Sequence, residues 1–480
     1  MAGSPMSRFA DDVPAVADLG TVHLVGVGGA GMSVVARLLR SRGVDVQGSD
    51  ARGGAVLDAL EADGVRVWVG HDAAHVAGAS TVVVSSAVRE SNPELAAARA
   101  AGLRVLHRSQ ALAALMEGNR AVAVAGAHGK TTTSAMIAVL LEGAGLAPSF
   151  AIGGSVRTAD GALPGGHLGS GDVLVAEADE SDRSFLNYRP TIAVVTNVEP
   201  DHLDNYGTTE AFERAFVEFA ARVRPGGHLV ACVDDAGARR IVEGHRAVGG
   251  QVVTYGTSPD ADVRVEGYTP SGDGSTATLH VAGVGGATGS APVALRVPGE
   301  HNMLDAAGAV ATALLLGVPL GAAVEAVGAF VGTGRRFEDR GSAGGVRVVD
   351  DYAHHPTEVA ALLTGARPAA GEGRVLALFQ PHLFSRTKAF AAEFAAALDL
   401  ADEAVVTGVY AAREDDDPDV TGELITSRSV RGARYVADKV EAARTVARLA
   451  RPGDLVLTIG AGDVTELAPV VLDELARSSE

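Results

Sequence analysis

A lysine and three threonines follow a short glycine turn in the segment Gly126–Thr133, which reads Gly-Ala-His-Gly-Lys-Thr-Thr-Thr. Gly126 and Gly129 let backbone N–H groups close around phosphate oxygens, and Lys130 adds a positive charge for the β- and γ-phosphates. The Thr131 hydroxyl can bind Mg²⁺, and the helix that follows directs the positive end of its dipole at the anion. The segment therefore predicts a site for a nucleoside triphosphate and magnesium.

Lysine is scarce in this chain, which makes its place in the turn informative. Lys130, Lys388 and Lys439 are the only lysines. A lysine in the turn indicates that a compact ammonium group is needed there, because arginine is not an equivalent point charge. The motif alone leaves a structural glycine turn open, since Val124 stands at the strand end where the usual phosphate loop has a glycine.

Acidic residues follow the next predicted strand of this block. The segment Glu177–Asp182, Glu-Ala-Asp-Glu-Ser-Asp, comes directly after the apolar run Val173–Ala176. Carboxylates at the end of a strand beside a phosphate loop are the usual second anchor for Mg²⁺. A solvated acidic turn is the competing interpretation, and it fits Glu180 and Asp182 better than Glu177.

Further polar clusters follow later predicted strands. Asp201-His-Leu-Asp204 comes soon after the run Ile192–Thr196, and His202 within it favours a two-metal arrangement. In the last third, Asp350–Pro356 and Gln380–Thr387 each follow a strand. Open α/β sheets bind ligands at the carboxyl ends of their strands, although unrelated loop polarity stays open for each cluster.

A second glycine-rich turn lies near the start of the chain. Gly26, Gly28 and Gly31 form a Gly-x-Gly-x-x-Gly pattern between a predicted strand and a helix, and Asp50 follows nineteen residues later. The pattern alone favours NAD or FAD. A nucleotide-sugar diphosphate fits equally well, because the helix N-terminus binds a diphosphate and the carboxylate can hold a sugar hydroxyl.

Composition narrows the class of protein. The chain has 480 residues and a formal net charge of −19, which disfavours nucleic acid or an anionic membrane as the main partner. Cys232 is the only cysteine, so a disulfide within the chain and a cysteine-based metal cluster are excluded. Met1–Asp12 lacks an apolar core and is not expected to be a signal peptide, so we expect a cytoplasmic protein.

Apolar runs alternate with helical patterns almost throughout, which predicts an α/β fold with parallel sheets. The alternation forms three blocks, for which we predict domains at residues 1–118, 119–333 and 334–480. Short β runs between Asp262 and Pro298 indicate antiparallel hairpins, and Gly332–Gly334 is a predicted hinge. The predicted strands are Thr21–Gly26, Val44–Gly48, Val65–Val69, Thr81–Ser85, Arg104–Leu106, Ala121–Ala125, Val173–Ala176, Ile192–Thr196, Val346–Asp350, Arg374–Phe379, Glu403–Thr407 and Leu455–Ile459, and two predicted helices are Asn302–Leu316 and Leu320–Phe330.

The whole chain, from about Thr21 to Ala476, resembles the Mur ligase family. The motifs that carry the resemblance are His23–Ser33, Gly126–Thr133, Glu177–Asp182, Asp201–Asp204, Asp350–Glu358 and Gln380–His382. The resemblance implies an N-terminal Rossmann-like UDP-sugar domain, a central P-loop ATPase α/β domain with antiparallel side strands, and a C-terminal Rossmann-like domain that closes over the site.

It also implies an ATP-dependent ligase that joins L-alanine to the lactyl carboxylate of UDP-N-acetylmuramate through an acyl phosphate. That reaction is the first peptide-forming step of peptidoglycan precursor synthesis, with ATP and Mg²⁺ as cofactors.

The resemblance also implies which residues form the site. The implied catalytic residues are Lys130, His202, His354 and Arg386. The implied ATP-binding residues are Gly126, Ala127, His128, Gly129, Lys130, Thr131, Thr132, Asn302, Arg336 and Asp351. The implied UDP-sugar residues are Gly26, Gly28, Gly29, Gly31, Met32, Ser33, Asp50, His71 and Ser86. Thr131, Glu177 and His202 would bind magnesium, and Tyr352, His354 and Arg386 the amino acid.

Several sister enzymes of that family carry a carbamylated lysine that helps to hold a second Mg²⁺. No lysine occurs between Lys130 and Lys388, so this device is impossible here, and we expect His202 and substrate oxygens to replace it. Three alternatives stay open: a murein-tripeptide ligase, an NAD-dependent oxidoreductase and a non-catalytic nucleotide-sugar sensor. A homo-oligomer is also possible.

Overall fold

The computed structural model describes residues 13–158, 161–201, 203–412 and 414–478, so His202 lies outside the described residues. The chain divides into two compact units. One contains the chain up to Glu266 with Leu279–Ala291 and Leu304–Phe330, and the other contains Gly267–Thr278, Pro292–Met303 and Val331 onward.

Five parallel strands form the first sheet, in the order β3-β2-β1-β4-β5. They are β1 (Val22–Val25), β2 (Val46–Asp50), β3 (Arg66–Val69), β4 (Thr81–Val84) and β5 (Arg104–His107). The helices of this region are α1 (Ala30–Ser41), α2 (Ala55–Ala62), α3 (Pro93–Ala100) and α4 (Arg108–Met116). This strand order is that of a Rossmann-like sheet with five of the six strands, and it places the glycine turn between β1 and α1 at the carboxyl edge of the sheet.

The second sheet has ten strands, and its centre positions the phosphate turn. Its strands are β6 (Arg120–Ala125), β7 (Ser149–Ala151), β10 (Gly166–His167), β11 (Val173–Glu177), β12 (Ile192–Val195), β13 (His228–Cys232), β14 (Gln251–Gly256), β15 (Val263–Ser271), β16 (Gly274–Val284) and β17 (Ala287–Leu295). β8 (Val156–Thr158) and β9 (Gly161–Leu163) pair antiparallel in another sheet, which has three strands. β6 lies between β11 and β12, parallel to both, with Glu177 opposite Val124. The carboxyl ends of these three buried strands therefore meet around the turn that follows β6.

Helices α5 (Lys130–Gly143), α6 (Leu203–Tyr206), α7 (Thr209–Ala220), α8 (Ala236–Ala247), α9 (Glu300–Leu315) and α10 (Leu320–Val327) accompany this sheet in sequence. The expected hairpins are present, since two-residue connections join β15 to β16 and β16 to β17, which only antiparallel neighbours allow.

The predicted helix Leu320–Phe330 is too long. α10 ends at Val327 with Gly328 as its C-cap, and Phe330 begins β18 (Phe330–Thr333). The predicted hinge at Gly332 and Thr333 is therefore strand.

The C-terminal part of the chain forms a six-stranded sheet with the order β19-β20-β24-β21-β22-β23. Its strands are β19 (Glu338–Ala343), β20 (Val346–Asp351), β21 (Val375–Phe379), β22 (Glu403–Val406), β23 (Arg434–Tyr435) and β24 (Leu455–Ile459), and only β19 pairs antiparallel. The helices are α11 (Pro356–Ala370), α12 (Phe384–Ala389), α13 (Ala391–Leu398), α14 (Glu423–Thr426), α15 (Lys439–Leu449) and α16 (Ala468–Arg477). Among the helices of the described segments, none has the length and apolar character that crossing a membrane requires.

Candidate active site

The phosphate turn connects the buried strand β6 to the N-terminus of α5. Gly129 is the N-cap of α5 and has φ +82°, a conformation that side chains other than glycine rarely adopt. A Cβ at this position would also lie only 2.8 Å from Oδ1 of Asp305. The first N–H groups of a helix have no partner within the helix, so the start of α5 is the kind of place where an anion binds.

Lys130 is partly buried between the turn and an acidic partner. Its Nζ donates to the carbonyl oxygens of Gly126 (2.7 Å) and Ala127 (3.1 Å) and lies 2.8 Å from Oε2 of Glu180. Burial works against the charge of Lys130, but the carboxylates of Glu180, Asp179 and Glu177 together outweigh burial and raise the Lys130 pKa. Burial also raises the pKa of Glu180, to about 7.

Glu180 corrects one expectation. Its residue is 1% exposed, so the interpretation of Glu180 as part of a solvated acidic turn is wrong. The pattern Glu-Ala-Asp-Glu-Ser-Asp does not show which carboxylate turns inward. The burial follows from the path of the chain after β11, which brings Glu180 to the ammonium group of Lys130.

Thr131 and Glu177 meet as predicted. The Thr131 hydroxyl lies 3.1 Å from each carboxylate oxygen of Glu177, and the N–H of Gly153 donates to Oε2 of the same carboxylate. Hydroxyl and carboxylate oxygens are the hard ligands that Mg²⁺ prefers. The two side chains therefore fit a magnesium ion next to the phosphate turn.

His128 fastens the turn to the end of β12. Its backbone N–H donates to Oδ1 of Asn197, its carbonyl accepts from Thr196, and its Nε2 lies 3.1 Å from Oε2 of Glu199. Thr132, the third residue of α5, is 8% exposed. These contacts give the turn a fixed shape.

The first glycine turn borders a cavity of about 700 Å³. Six of the predicted UDP-sugar residues line it: Gly26, Gly29, Gly31, Met32, Asp50 and His71. Gly28, Ser33 and Ser86 are not among its lining residues. The Gly28 N–H donates to Asp50 Oδ2, Ser33 is buried in α1, and Ser86 donates to Oδ2 of Asp182 over 2.6 Å.

Arg108 is the lining residue that sequence reasoning missed. It is the first residue of α4, and a Cβ on Gly31 would lie 2.1 Å from its Nη1. Its Nε is buried without a hydrogen-bond partner in the described part of the chain. A guanidinium beside the N-terminus of α1 suits a diphosphate. A single arginine among many, far from Gly31 in the chain, carries no local signal of this role.

The second unit brings together four of the residues predicted for the nucleotide and the amino acid. The Asp351 carboxylate accepts hydrogen bonds from the N–H groups of Phe337 and Ala353, each at 2.8 Å. Burial raises the Asp351 pKa to about 6, although the charge of Arg336 acts to lower it. The guanidinium of Arg336 lies 5.3 Å from the ring centre of Tyr352.

His354 is the fourth of these residues, and its orientation is fixed. Its Nδ1 lies 3.1 Å from the carbonyl oxygen of Tyr352 and 3.2 Å from Oε2 of Glu358. Glu358 also accepts the His354 N–H, so it holds both the backbone and the ring. Arg386 is buried in α12, and the Asn302 amide donates to the carbonyl of Pro298.

Comparison with known proteins gives the family. The description "Mur ligase family, catalytic domain" matches residues 21–120, "Mur ligase middle domain" residues 124–313, and "Mur ligase, glutamate ligase domain" residues 335–462. A UDP-N-acetylmuramate–L-alanine ligase of Kineococcus radiotolerans is 56% identical over 471 residues, which cover 97% of this chain and 98% of the relative.

Two solved structures support the same architecture of N-terminal, middle and C-terminal domains. The UDP-N-acetylmuramate–alanine ligase of Thermotoga maritima matches with a TM-score of 0.75 and 29% identity, covering 96% of this chain and all of that one. A murein peptide ligase of Psychrobacter arcticus has a TM-score of 0.65 and 25% identity, covering 95% and 99%. The chain belongs to the Mur ligase family of ATP-dependent ligases.

Proposed function

We propose that the chain joins L-alanine to the lactyl carboxylate of UDP-N-acetylmuramate at the expense of ATP, as the first peptide-forming step of peptidoglycan precursor synthesis in the cytoplasm. The observation that carries the proposal is 56% identity, across nearly the full length of both chains, with a relative that bears this activity in its name. The cavity at the first glycine turn and the phosphate turn after β6 supply two separate phosphate-binding places, which an ATP-dependent enzyme with a nucleotide-sugar substrate needs.

The first step activates the carboxylate. A carboxylate does not react with an amine directly, because an oxide leaving group is too poor. Its oxygen therefore first attacks the γ-phosphorus of ATP, the bond to the β–γ bridging oxygen breaks, ADP leaves, and the carboxylate becomes an acyl phosphate. Lys130 and the N–H groups at the start of α5 would hold the phosphates of ATP so that the γ-phosphorus lies in line with the attacking carboxylate oxygen. Magnesium held by Thr131 and Glu177 would neutralise charge on them. His202 is proposed for a second ion.

The second step forms the amide. The amine of L-alanine attacks the acyl carbon, phosphate leaves, and the amine loses a proton. Because Nδ1 of His354 faces the Tyr352 carbonyl and Glu358, its Nε2 is the atom that would orient the amine or accept the proton. We propose that Arg386 binds the amino-acid carboxylate or the oxyanion.

The remaining predicted residues keep their proposed roles. Asn302, Arg336 and Asp351 would bind the adenine and ribose, and Ala127, His128 and Thr132 belong to the phosphate turn. Asp50 and His71 would hold the UDP-sugar with the glycines of the first turn. The structural likeness to a murein peptide ligase makes a tripeptide the second candidate amine.

An isotope experiment tests the proposed chemistry. UDP-N-acetylmuramate labelled with ¹⁸O in its carboxylate is incubated with ATP and L-alanine, and the released phosphate is analysed by mass spectrometry. Transfer of one ¹⁸O to phosphate supports the acyl phosphate. Unlabelled phosphate alongside ligated product would refute it.

A further inference from the structure

A buried carboxylate lies next to the UDP-sugar cavity and has no part in the steps above. Glu94, the second residue of α3, is 0% exposed. The Ser49 hydroxyl donates to its Oε2 over 2.6 Å, and Nδ1 of His75 lies 2.9 Å from its Oε1. Nδ1 of His71 is 3.1 Å and Nε2 of His23 is 3.5 Å from Oε2. Three histidines thus surround one carboxylate.

Glu94 remains ionised in neutral solution. Burial opposes its charge, but the nearby His23 ring and the hydrogen bonds with Ser49 and His75 outweigh burial and lower the Glu94 pKa to about 2. Its place in the first turn of α3 also favours negative charge. An ionised carboxylate only accepts hydrogen bonds, so each group that faces it must present a proton.

His71 connects this carboxylate to the cavity. Its ring lines the cavity together with Asp50 and Arg108. Its Nδ1 faces Oε2 of Glu94 and, at 3.0 Å, Oγ of Ser49. Because Ser49 gives its own proton to Glu94, both oxygens can accept from Nδ1–H. The proton therefore sits on Nδ1, and Nε2 is left as an acceptor for the cavity.

We propose that Glu94 is a positioning residue that holds His71 as the Nδ1–H tautomer, so that Nε2 accepts a hydrogen bond from an N–H or O–H group of the nucleotide sugar. This inference rests on the proposed function, since the ligand is the UDP-sugar. Without the carboxylate the ring could carry its proton on Nε2, which would present a donor where the ligand also presents one.

The test is direct binding of UDP-N-acetylmuramate, measured by calorimetry on the full chain without ATP. We expect Glu94→Leu, whose side chain has no oxygen to accept the Nδ1 proton, and His71→Ala each to raise the Kd about tenfold, because each would cost one hydrogen bond to the ligand. Because Glu94 acts through His71, the double variant should bind no more weakly than His71→Ala alone. His75→Gln also disturbs the buried cluster but leaves the Nδ1 contact of His71, so its Kd should stay near that of the wild type.

A spectroscopic measurement separates positioning from a structural role. In ¹⁵N-histidine spectra, the His71 signals, assigned by their loss in His71→Ala, should show Nδ1–H in the wild type and a larger share of Nε2–H in Glu94→Leu. An unchanged tautomer in Glu94→Leu, or additive effects of Glu94→Leu and His71→Ala, would overturn the inference. A wild-type chain that does not bind UDP-N-acetylmuramate would instead overturn the proposed function.

Discussion

Lys130 and Glu180 form a buried ion pair, with Nζ 2.8 Å from Oε2 and with the two side chains 14% and 1% exposed. The pair fixes the ammonium group beside the carbonyl oxygens of the phosphate turn. It also gives the stability of this region a pH dependence that can be measured.

Glu180→Gln should remove that dependence. The folded-state pKa of Glu180 is about 7, raised by burial from an ordinary 4.5. The folded protein therefore retains a proton that the unfolded chain has lost. This contribution to the unfolding free energy is full below pH 4.5 and is lost as the pH rises to about 7. The wild type should lose stability relative to Glu180→Gln by at most about 1.4 kcal/mol per pH unit in this window.

Urea unfolding between pH 4.5 and 8 measures the effect. Glu117→Gln is the matched control, because its carboxylate is 63% exposed and pairs with Arg224 at the surface. A stability difference between wild type and Glu180→Gln that does not change with pH would contradict the raised pKa.

Thr131→Ala and Glu177→Gln should each increase the Mg²⁺ concentration needed for half-maximal activity by at least about tenfold, because each removes an oxygen ligand of the proposed ion. Phosphate release at saturating ATP and varied Mg²⁺ is the measurement. Thr133→Ala is the control, since its hydroxyl donates to Asp305. Thr133→Ala should have the Mg²⁺ requirement of the wild type. If Thr131→Ala has it as well, the ion is bound elsewhere.

Arg108→Ala should raise the KM for UDP-N-acetylmuramate about tenfold to hundredfold with little change in kcat. An increase of this size corresponds to the loss of one hydrogen bond between charged groups, here the guanidinium and the diphosphate. Gly31→Ala should act similarly, because its Cβ would lie 2.1 Å from Nη1 of Arg108. Arg104→Ala, which removes a surface hydrogen bond to the Asp18 carbonyl, is the control. An unchanged KM in Arg108→Ala would separate this residue from the substrate.

His354→Ala should slow ligation by about 10²- to 10⁴-fold while the acyl phosphate still forms, because its proposed part is confined to the amine. Hydroxylamine added to the reaction traps the acyl phosphate as a hydroxamate, which is quantified against the wild type. A variant that forms neither hydroxamate nor product would place His354 in the first step as well.

The sequence predicts the parts of the site that are local in the chain. The Gly129–Lys130 turn and the contact of Thr131 with Glu177 follow from motifs at the ends of adjacent buried strands. The role of Arg108 could not be predicted, because only the folded chain brings it to Gly31. The burial of Glu180 could not be predicted for a related reason. The sequence of an acidic turn does not show which of its carboxylates faces water and which faces Lys130.

Four strands of the second sheet, β7, β10, β13 and β14, were not predicted. β7 and β10 have only three and two residues, which is too short for a hydrophobic pattern to show. The parallel pairing of β13 and β14 beyond β12 extends the sheet without contributing a predicted site residue.

Phosphate release from ATP in the presence of UDP-N-acetylmuramate, compared among L-alanine, glycine, L-serine and the murein tripeptide, tests the central proposal most directly. The proposed function predicts release that requires both the UDP-sugar and an amine and that is fastest with L-alanine. Release that is fastest with the tripeptide, or that does not depend on UDP-N-acetylmuramate, would contradict it.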